Sequence, residues 1–597
     1  MARFEARTAQ HTPSPSGFTG LGSSPRARAW AVLSIFAGLA LSFGLLVPET
    51  HAMLPPGGVA APAAERIDTF MSRCTDGGLS GSLLVELGGE VILHRGYGVL
   101  DRGTGRTAEA DTPYHLGSLG KQFTATAILL LEEDGKLSTS DLLSRYLPDV
   151  PPDKAGITLD HLLHHTSGLP YLPQGDLAAN LPMETAAREI LAYPLVSAPG
   201  AQYGYSSPGY TLLAAVIEQV SGQDYDSFLR ARIFEPAGMA HTGSDQDTVR
   251  WVGDLRTPSY TGSGVDDPIY PAVGWSRFRG AGSVVSTAGD LWRWEQALRS
   301  HRVLGPAATE KLFAPAVAVG PNIEHACGWN VAQSARGTTV IMHAGDLGGF
   351  NVDMRRLVDE HATIIFLSNA RSGGRGYREA VSIAVTRLLF GPEPEFPPAR
   401  VILNEETRRA WNTRWALPGG VAGADSIRAR VDGDVVWLQP IGQAAISAVA
   451  GGDSSAMVAE AQLSALARDV VPILLSGNLA ELSPLVHPSI PASLHIELIN
   501  FWEATADSLG TPVETELLGT AWSPPSGGKT LLRIRGARAT QLLSIDWVGG
   551  KLLNSEPVPG GAFELPFFAV SPDRVARFDL WAGRTTYIGR PRGASGG

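Results

Sequence analysis

A helix that is apolar on every face constrains this fold more than any other feature of the sequence. Residues 116–133 are predicted to be helical, and the segment FTATAILLL within them has no polar side. A helix at a protein surface keeps one polar face in water, so this helix is expected to be surrounded by other elements. The chain must therefore build a core around it.

The order of the predicted elements indicates an α+β fold. Two strands around a Gly88-Gly89 turn come first, a long and mainly helical middle follows, and three more strands and a helix come last. The predicted strands occupy residues 82–87, 90–97, 338–342, 350–357 and 363–368, and the predicted helices include 211–220, 290–298 and 377–390. This pattern predicts an antiparallel β-sheet flanked by helices, with a large helical subdomain.

Composition excludes several classes of protein. The 597 residues are 44% hydrophobic and 18% charged, which excludes a mainly disordered chain, and one long apolar run excludes a polytopic membrane protein. A net charge of −11 suggests no general polyanion-binding surface, so no nucleic-acid partner is expected. Two cysteines, Cys74 and Cys327, exclude a disulfide scaffold and a cysteine-rich zinc site. Either one disulfide or two free thiols fits them.

The first 52 residues predict export. Residues 1–28 are rich in arginine, serine and proline and are expected to be disordered, and an uncharged apolar run follows at 29–47. The sequence Thr50-His51-Ala52 then offers a small-x-small cleavage site, which is typical of a secretory signal peptide. An uncleaved anchor in the inner membrane is the alternative. Either arrangement places the remaining chain outside the cytoplasm, in the periplasm or the medium.

Proline-rich and glycine-rich stretches divide the rest of the chain. Residues 53–64 are predicted to be a linker, 65–392 a folded domain, 393–405 a second linker and 406–597 a separate accessory region that is α+β or β-rich. A hairpin at Asp432-Gly433, a helix at 459–475 and strands at 530–535 and 542–553 are predicted there. Residues of about 455–560 are similar to an NTF2-like fold inserted in this region, which holds no compact group of catalytic residue types.

The sequence Ser118-Leu119-Gly120-Lys121 at the start of the apolar helix carries chemistry. The serine and the lysine share one helical face, and the helix N-terminus supplies backbone N–H groups beside the serine. A lysine in apolar surroundings loses proton affinity and acts as a base, which a serine nucleophile needs where no catalytic histidine is used. The alternative is structural: a serine that caps the helix and a lysine that extends its ammonium to water.

Five ordered sequence blocks favour the catalytic interpretation. They contain GSLGK, HTSGLP, YSSPGY, GAGSVVSTAGDLW and HAGDLGGF and lie at residues 111–149, 157–170, 205–222, 280–294 and 343–350. With them, residues 65–392 resemble the serine β-lactamase and penicillin-binding-protein superfamily. The resemblance is to the class C-like branch, which includes D-alanyl-D-alanine carboxypeptidases, D-aminopeptidases and esterases. It implies a β-lactamase/transpeptidase-like fold and a serine hydrolase that needs no metal or organic cofactor.

The resemblance also implies roles for individual residues. Ser118 is the acylated nucleophile, and Lys121 accepts or relays its proton. Tyr205 matches the tyrosine of the Y-x-N motif, and its phenolate, stabilised by the Lys121 ammonium, acts as general base and then protonates the leaving group. His343 begins the K/H-x-G motif on a strand beside the nucleophile. The backbone N–H groups of Ser118 and Asp346 form the oxyanion hole.

One position departs from the family pattern. Ser207 stands where the Y-x-N motif has asparagine, and a serine is shorter and offers a single donor. Together with Gly345 and Asp346, Ser207 is expected to bind substrate. The change should weaken the positioning of an amide or lactam more than that of an ester, so an esterase or D-peptidase is favoured over an efficient β-lactamase.

Other residues that suggest sites have plainer explanations. The histidines His161, His164 and His165 have helical spacing, but no accompanying signature supports a metal site, and the resemblance assigns a structural role to the HTSGLP histidine. Core packing is expected for Tyr210 and for the aromatic residues Trp275, Phe278, Trp292 and Trp294.

Two functional hypotheses follow. The first is a hydrolase of small molecules or peptides, cell-wall fragments among them, that acts on esters, D-amino-acid peptides or β-lactam-like amides. The second is a non-catalytic penicillin-recognising sensor, which Ser207 and the large accessory region motivate. The intact set of Ser118, Lys121, Tyr205 and His343 favours the enzyme, because decayed sites commonly lose the nucleophile or the base.

The export hypothesis predicts the N-terminus of the mature protein. Cleavage after Ala52 leaves Met53 as the first residue, because signal peptidase cuts behind a small-x-small sequence. N-terminal peptide mass spectrometry of protein taken from the periplasm or the medium measures this. Recovery of an N-terminus upstream of the apolar run at 29–47, in the membrane fraction, would show an uncleaved anchor instead.

Overall fold

A computed structural model describes residues 6–8 and 60–589 of the chain. Within the second range the description omits residues 172, 174–180, 246, 248–256, 261–277, 321, 373–374, 413, 417–425, 433–434, 442, 444, 447–453, 488–491, 511–512, 524–526, 549–550, 558–564, 572–573 and 580–583. The apolar run at 29–47, the cleavage site, most of the first linker and Trp275 lie outside the described residues. The chain divides into two compact units, Ser42–Pro394 and a second unit made of Met1–Leu41 and Glu395–Gly597.

Helices and strands are numbered along the chain. Up to the second linker they are β1 (Ala6–Thr8), α1 (Ala60–Cys74), β2 (Gly81–Leu87), β3 (Glu90–Tyr97), β4 (Val99–Asp101), β5 (Arg106–Thr107), β6 (Tyr114–His115), α2 (Lys121–Glu133), α3 (Leu159–Leu163), α4 (Met183–Leu191), α5 (Ser207–Ser221), α6 (Tyr225–Leu229), α7 (Glu235–Ala237), β7 (Gly243–Ser244), β8 (Val284–Ser286), α8 (Ala288–Arg299), α9 (Pro306–Phe313), β9 (Val317–Gly320), β10 (Ile323–His325), β11 (Asn330–Gln333), β12 (Thr339–Leu347), β13 (Phe350–Leu357), β14 (Ala362–Ser368), β15 (Arg371–Ser372), β16 (Arg375–Gly376) and α10 (Arg378–Phe390).

The remaining elements belong to the second unit. They are α11 (Glu405–Trp411), β17 (Arg414–Ala416), β18 (Ser426–Asp432), β19 (Val435–Ile441), α12 (Ser454–Ser476), α13 (Leu479–Leu482), α14 (Ala492–Leu509), β20 (Glu514–Ser523), β21 (Gly527–Arg535), β22 (Thr540–Val548), β23 (Lys551–Pro557), β24 (Leu565–Ser571), β25 (Arg574–Asp579) and β26 (Arg584–Gly589).

An eight-stranded antiparallel sheet forms the frame of the first unit. Its strand order is β3-β2-β14-β13-β12-β11-β10-β9, so the first hairpin pairs with strands from the far end of the domain. Strand β14 is buried along its whole length, as expected for a strand covered by helices on both faces. Helices α8 and α10 both pack on β14, and the predicted α+β fold with an antiparallel sheet flanked by helices is confirmed.

The apolar helix α2 occupies the centre of the core. Every residue from Lys121 to Leu131 is buried, and α5, α6 and α9 pack around the helix. Its start differs from the prediction, because a 3₁₀ turn over Gly117–Gly120 precedes the α-helix. Gly117 has a left-handed φ of 49°, which an α-helix does not accommodate, so the α-helical hydrogen bonds begin only at Lys121.

Several strands differ from the sequence prediction. Strand β12 continues from the predicted end at 342 to Leu347, because it pairs with β13 as far as Leu347 opposite Phe350. Local propensity misses this extension, since glycine is a poor strand former. The predicted strand at 542–553 is two strands, β22 and β23, which pair as a hairpin. Strands β9 to β11 were not predicted.

The N-terminal boundaries also differ in detail. Helix α1 begins at Ala60, five residues before the predicted start of the folded domain at 65. Strand β1, in a segment predicted to be disordered, pairs antiparallel with β26, with Ala6 opposite Ile588. Cys74 and Cys327 are both buried and free. Among the described helices, none combines the length and the apolarity that a membrane crossing requires.

The second unit contains two antiparallel sheets. A seven-stranded sheet has the order β1-β26-β25-β24-β19-β18-β17, and a four-stranded sheet runs β20-β21-β22-β23. Strands β19 and β24 are neighbours in the first sheet, although α12 to α14 and the four-stranded sheet lie between them along the chain. Helices α12 and α14 pack on each other, and Trp502 and Trp547 lie in the core of this α+β module. Its NTF2-like character stays a prediction.

A buried ion-pair network ties helix α8 to the central sheet. The Arg299 guanidinium at the end of α8 donates from both terminal nitrogens to the Glu86 carboxylate on β2, over 2.9 and 3.0 Å, and also donates to Glu295. Thr363 donates a further hydrogen bond to Glu86 over 2.6 Å. Both carboxylates are buried, whereas the Arg299 side chain is 37% exposed.

Arg299→Ala should destabilise the first unit. The change leaves Glu86 and Glu295 buried with less compensating charge, and breaking buried ion pairs costs about 3 kcal/mol or more. The free energy of unfolding is measured by urea titration with limited proteolysis, reading peptides from residues 65–392. Arg299→Lys keeps the charge, so its free energy of unfolding should fall less. A loss below about 0.5 kcal/mol for Arg299→Ala, typical of surface sites, would contradict the role given to the network.

Candidate active site

The turn that carries Ser118 lies directly against strand β12. A Cβ on Gly117 would lie 2.8 Å from the Asp346 carbonyl oxygen, and a Cβ on Gly345 would lie 1.8 Å from the Leu116 carbonyl oxygen. Such distances leave no room for a side chain, so both glycines are required where the turn meets β12. The backbone before the predicted nucleophile therefore lies directly against the backbone of the HAGDLGGF segment.

Lys121 lies at the first turn of α2 and has no access to solvent. Its Nζ donates to Ser118 Oγ over 3.1 Å, to the Ala281 carbonyl oxygen over 2.7 Å and, at the limit of a hydrogen bond, to Ser207 Oγ over 3.5 Å. All three acceptors are uncharged. Burial lowers the pKa of the Lys121 ammonium to about 7. The alternative in which this lysine extends to water is wrong.

Tyr205 lies beside the Lys121 ammonium. The lysine Nζ is 4.9 Å from the centroid of the tyrosine ring, and the His165 ring lies 4.2 Å from the same ring. Burial raises the pKa of the Tyr205 phenol well above 10, and a hydrogen bond with Ser118 only partly opposes the shift. The raised pKa favours a protonated phenol over the phenolate that the resemblance implies.

Ser207 is the first residue of α5 and places its hydroxyl near the Lys121 ammonium. The preceding Ser206 caps the helix by accepting a hydrogen bond from the Gly209 N–H, and the Ser207 N–H donates to the Tyr171 carbonyl over 3.0 Å. The buried Ser207 Oγ thus faces Lys121 at the position where the family has an asparagine amide.

His343 lies on β12 as predicted, in a buried position. Its Nδ1 is 2.8 Å from the Ala344 carbonyl oxygen. Because a carbonyl only accepts, Nδ1 carries the proton in this contact and Nε2 keeps a lone pair. Burial, together with the charge of Lys121, lowers the pKa of His343 to about 3. The imidazole is neutral at physiological pH.

The backbone of Asp346 reaches the site, whereas its carboxylate is hydrogen-bonded to other side chains. Its side chain accepts hydrogen bonds from Asn351, over 2.7 Å, and from the Arg378 guanidinium at the start of α10. Its backbone nitrogen lies 3.0 Å from the point where a Gly117 Cβ would stand. The contact brings the Asp346 peptide next to the Ser118 turn, as an oxyanion hole built from these two residues requires.

The three histidines with helical spacing each contact a different residue. His165 Nδ1 accepts the Ser206 N–H over 3.0 Å, which ties the HTSGLP segment to the segment that carries Tyr205. His161 Nδ1 accepts the Thr158 N–H at the start of α3, and His164 Nε2 lies 3.4 Å from Cys327 Sγ. Across the described residues, no group of three or more histidine, cysteine or acidic side chains is arranged to hold a metal.

The aromatic residues near the site belong mainly to the core. Trp294 is fully buried and donates from Nε1 to Gln122 Oε1 over 2.7 Å, and Tyr210 donates to the Leu163 carbonyl over 2.9 Å. Trp292 and Phe278 are partly buried and pack against the same core. Sequence reasoning missed two partners of the site, the Ala281 carbonyl and Arg378. The GAGSVVS block signals the first, and no motif signals the second.

Comparison with known proteins now identifies the family. The sequence profile of the family described as Beta-lactamase matches residues 65–388, more than half of the chain. The chain belongs to the β-lactamase family. It is 31% identical over 338 residues to penicillin-binding protein 4* of Bacillus subtilis, covering 53% of this chain and 74% of the relative. It is 30% identical to the putative penicillin-binding protein PbpX of the same species, covering 50% and 72%.

A solved structure supports the fold over a longer stretch. The octameric penicillin-binding protein homologue from Pyrococcus abyssi aligns with 88% of this chain and 99% of its own, at 18% identity and a TM-score of 0.51. The likeness shows the β-lactamase/transpeptidase-like fold alone. Together with the family assignment, the pairing of Ser118 with Lys121 supports a serine hydrolase.

The pKa of Lys121 predicts how activity depends on pH. A lysine accepts the Ser118 proton only when neutral, and its neutral fraction grows as pH rises. We expect kcat/KM to rise about tenfold per pH unit below about pH 7 and to level off above it. Ester hydrolysis measured from about pH 5 to about pH 9 tests this. Lys121→Arg should be inactive throughout the range, and a profile that is flat across pH 7 would contradict Lys121 as the base.

Proposed function

We propose that this protein is an exported serine hydrolase, periplasmic or secreted, that forms an acyl-enzyme on Ser118. The observation that carries the proposal is the buried Lys121 Nζ at 3.1 Å from Ser118 Oγ. Nucleophile and base within hydrogen-bond reach are the signature of covalent catalysis by a serine. The family assignment of residues 65–388 supports the same reaction class.

In the proposed acylation step, neutral Lys121 accepts the proton of Ser118 while Oγ forms a bond to the substrate carbonyl carbon. The carbonyl oxygen becomes negatively charged and is stabilised by the backbone N–H groups of Ser118 and Asp346. Collapse of this intermediate breaks the bond to the leaving group, which takes the proton from Lys121 directly or through the Tyr205 hydroxyl. The sum is one ester or amide bond exchanged for a seryl ester.

Deacylation repeats these steps with water as the nucleophile. Lys121 is neutral again once the leaving group has taken the proton, and it accepts a proton from the attacking water. The new bond joins the water oxygen to the acyl carbon, and the bond to Ser118 Oγ breaks. Ser118 regains its proton and the free acid departs.

Two residues favour esters over amides and β-lactams as substrates. Ser207 replaces the asparagine amide that helps to hold a substrate carbonyl in related enzymes, so an amide gains fewer hydrogen bonds here. His343 is neutral, so it offers no positive charge to a substrate carboxylate. The Bacillus relatives are penicillin-binding proteins by name, which makes a penicillin a useful second probe.

Ser118→Ala should abolish covalent labelling and lower turnover by roughly three orders of magnitude. Intact mass is measured after exposure of the full chain to a fluorophosphonate and, separately, to a penicillin. We expect a Ser118-dependent adduct with the fluorophosphonate. An adduct with the penicillin as well would direct the substrate search to D-amino-acid peptides, and its absence would direct it to esters.

The same measurement separates the hydrolase from a binding module. Ligand binding without an adduct from either reagent would reject the hydrolase and favour a non-catalytic sensor. An adduct that persists in Ser118→Ala would place the nucleophile elsewhere and overturn the proposed mechanism.

Ser207→Asn should raise the rate of acylation by amides and lactams relative to esters by about fivefold. The asparagine amide supplies a further hydrogen bond to the substrate carbonyl, and one such bond is worth about 1 kcal/mol. The ratio of kcat/KM for a D-amino-acid anilide and a matched ester measures the effect. Ser207→Ala is the control, because it removes the hydroxyl without adding an amide. An unchanged ratio in Ser207→Asn would remove Ser207 as the determinant of substrate class.

A further inference from the structure

A second histidine, His115, contacts the turn that carries Ser118. His115 lies on β6, three residues before Ser118, and its Nδ1 accepts a hydrogen bond from the Gly117 N–H over 3.2 Å. Gly117 is the residue immediately before the nucleophile. His115 thus holds the peptide from which the turn starts, although neither the sequence blocks nor the proposed mechanism assigns it a role.

The hydrogen bonds of His115 define its tautomer. Because a backbone N–H only donates, Nδ1 acts as acceptor and the ring proton lies on Nε2. Nε2 is 3.0 Å from Asp245 Oδ2, and the carboxylate accepts that proton in a hydrogen bond. The side chains of His115 and Asp245 are 1% and 5% exposed, so water has little access to compete for this bond. A carboxylate on one ring nitrogen commonly fixes which nitrogen carries the proton.

The backbone of Asp245 is hydrogen-bonded to residues 281–286, the segment that also contacts Lys121. Its N–H donates to the Ser283 carbonyl over 2.9 Å, and the next residue, Val284, accepts the Leu116 N–H over 2.8 Å. Two residues before Ser283, the Ala281 carbonyl accepts from Lys121 Nζ. One short stretch, residues 281–286, thus aligns the aspartate, the strand that carries His115 and the general base.

The position of Gly117 leaves the turn little freedom. Gly117 has a φ of 49°, its backbone contacts Asp346, and a Cβ on Gly282 would lie 3.0 Å from the Gly117 carbonyl carbon. The Gly117–Ser118 peptide supplies the Ser118 N–H of the oxyanion hole. A rotation of the Gly117 backbone would turn that N–H away from the carbonyl oxygen of the substrate.

We propose that His115 and Asp245 form a positioning pair that orients the Ser118 N–H. Asp245 fixes the Nε2–H tautomer of His115, the free Nδ1 fixes the Gly117 N–H, and the Gly117 peptide sets the direction of the oxyanion donor. Neither side chain touches a reacting atom, so both are positioning residues. The catalytic consequence rests on the proposed hydrolase function, whereas the tautomer and the hydrogen bond do not.

Two substitutions at His115 separate the two hydrogen bonds. His115→Asn places an amide oxygen near the position of Nδ1 and keeps an acceptor for Gly117, whereas His115→Gln places an amide nitrogen near Nε2 and keeps the donor to Asp245. We expect His115→Gln to lower kcat for an ester about 10- to 100-fold with KM nearly unchanged, as small misplacements of catalytic groups do. His115→Asn should retain kcat within about threefold of the wild type, because it rescues the acceptor.

Thermal unfolding of both variants supplies the control for stability. A purely structural role for His115 would lower Tm and leave the kcat of the remaining folded protein alike in the two variants. Equal kcat values for His115→Asn and His115→Gln would therefore overturn the positioning role. A KM effect alone would also overturn it, because the Ser118 N–H acts mainly on the transition state.

Nitrogen NMR of the wild-type chain, with labelled histidine, tests the pair without reference to catalysis. The His115 signals, assigned by their loss in His115→Gln, should show a protonated Nε2 and an unprotonated Nδ1. A protonated Nδ1 would overturn the proposed hydrogen-bond chain. Should the wild type show the expected tautomer but no Ser118 adduct, the hydrolase proposal fails, and the catalytic consequence assigned to the pair is rejected with it.

Discussion

The buried ammonium of Lys121 is the constraint around which the site is organised. Moving an ammonium group out of water costs several kcal/mol, and the protein meets that cost with three hydrogen-bond acceptors: Ser118 Oγ, Ser207 Oγ and the Ala281 carbonyl. None of the three carries a formal charge. A carboxylate in this place would have held the lysine protonated, whereas neutral acceptors leave burial to dominate and lower its pKa to about 7. The neutral acceptors that hydrogen-bond the Lys121 ammonium thus also allow the lysine to act as a base.

Placing those acceptors requires three distant parts of the chain to meet. Helix α2 delivers Lys121, the start of α5 delivers Ser207, and the stretch before β8 delivers the Ala281 carbonyl. A fourth part, β12, lies against the Ser118 turn through Gly117 and Gly345, which the close approach of the two backbones requires. The all-apolar surface of α2 makes this arrangement possible, because a helix buried on every side can accept neighbours from several directions.

Sequence reasoning succeeded where the signal is local and failed where it depends on partners far along the chain. The Gly88-Gly89 turn, β3 and β13 were predicted to the residue, since alternating apolar residues and paired glycines specify hairpins. The extension of β12 through Gly345 was missed, because pairing with β13 overrides weak local propensity. The motif residues of the site were predicted from the resemblance. The pairing of His115 with Asp245 was not, because 130 residues separate them and no motif contains both.

Protonation states are the part of the site that motifs describe least well. The resemblance implies a Tyr205 phenolate beside a Lys121 ammonium, yet burial acts on both groups in the opposite sense, raising the pKa of the phenol and lowering that of the amine. Above about pH 7 the resting site is then mainly neutral at Lys121, Tyr205 and His343. In the proposed acylation, a lysine ammonium and a substrate oxyanion form together. Preoriented N–H groups stabilise such a developing charge more effectively in a water-poor site than in water, which is why the rigidity of the Ser118 turn matters as much as its chemistry.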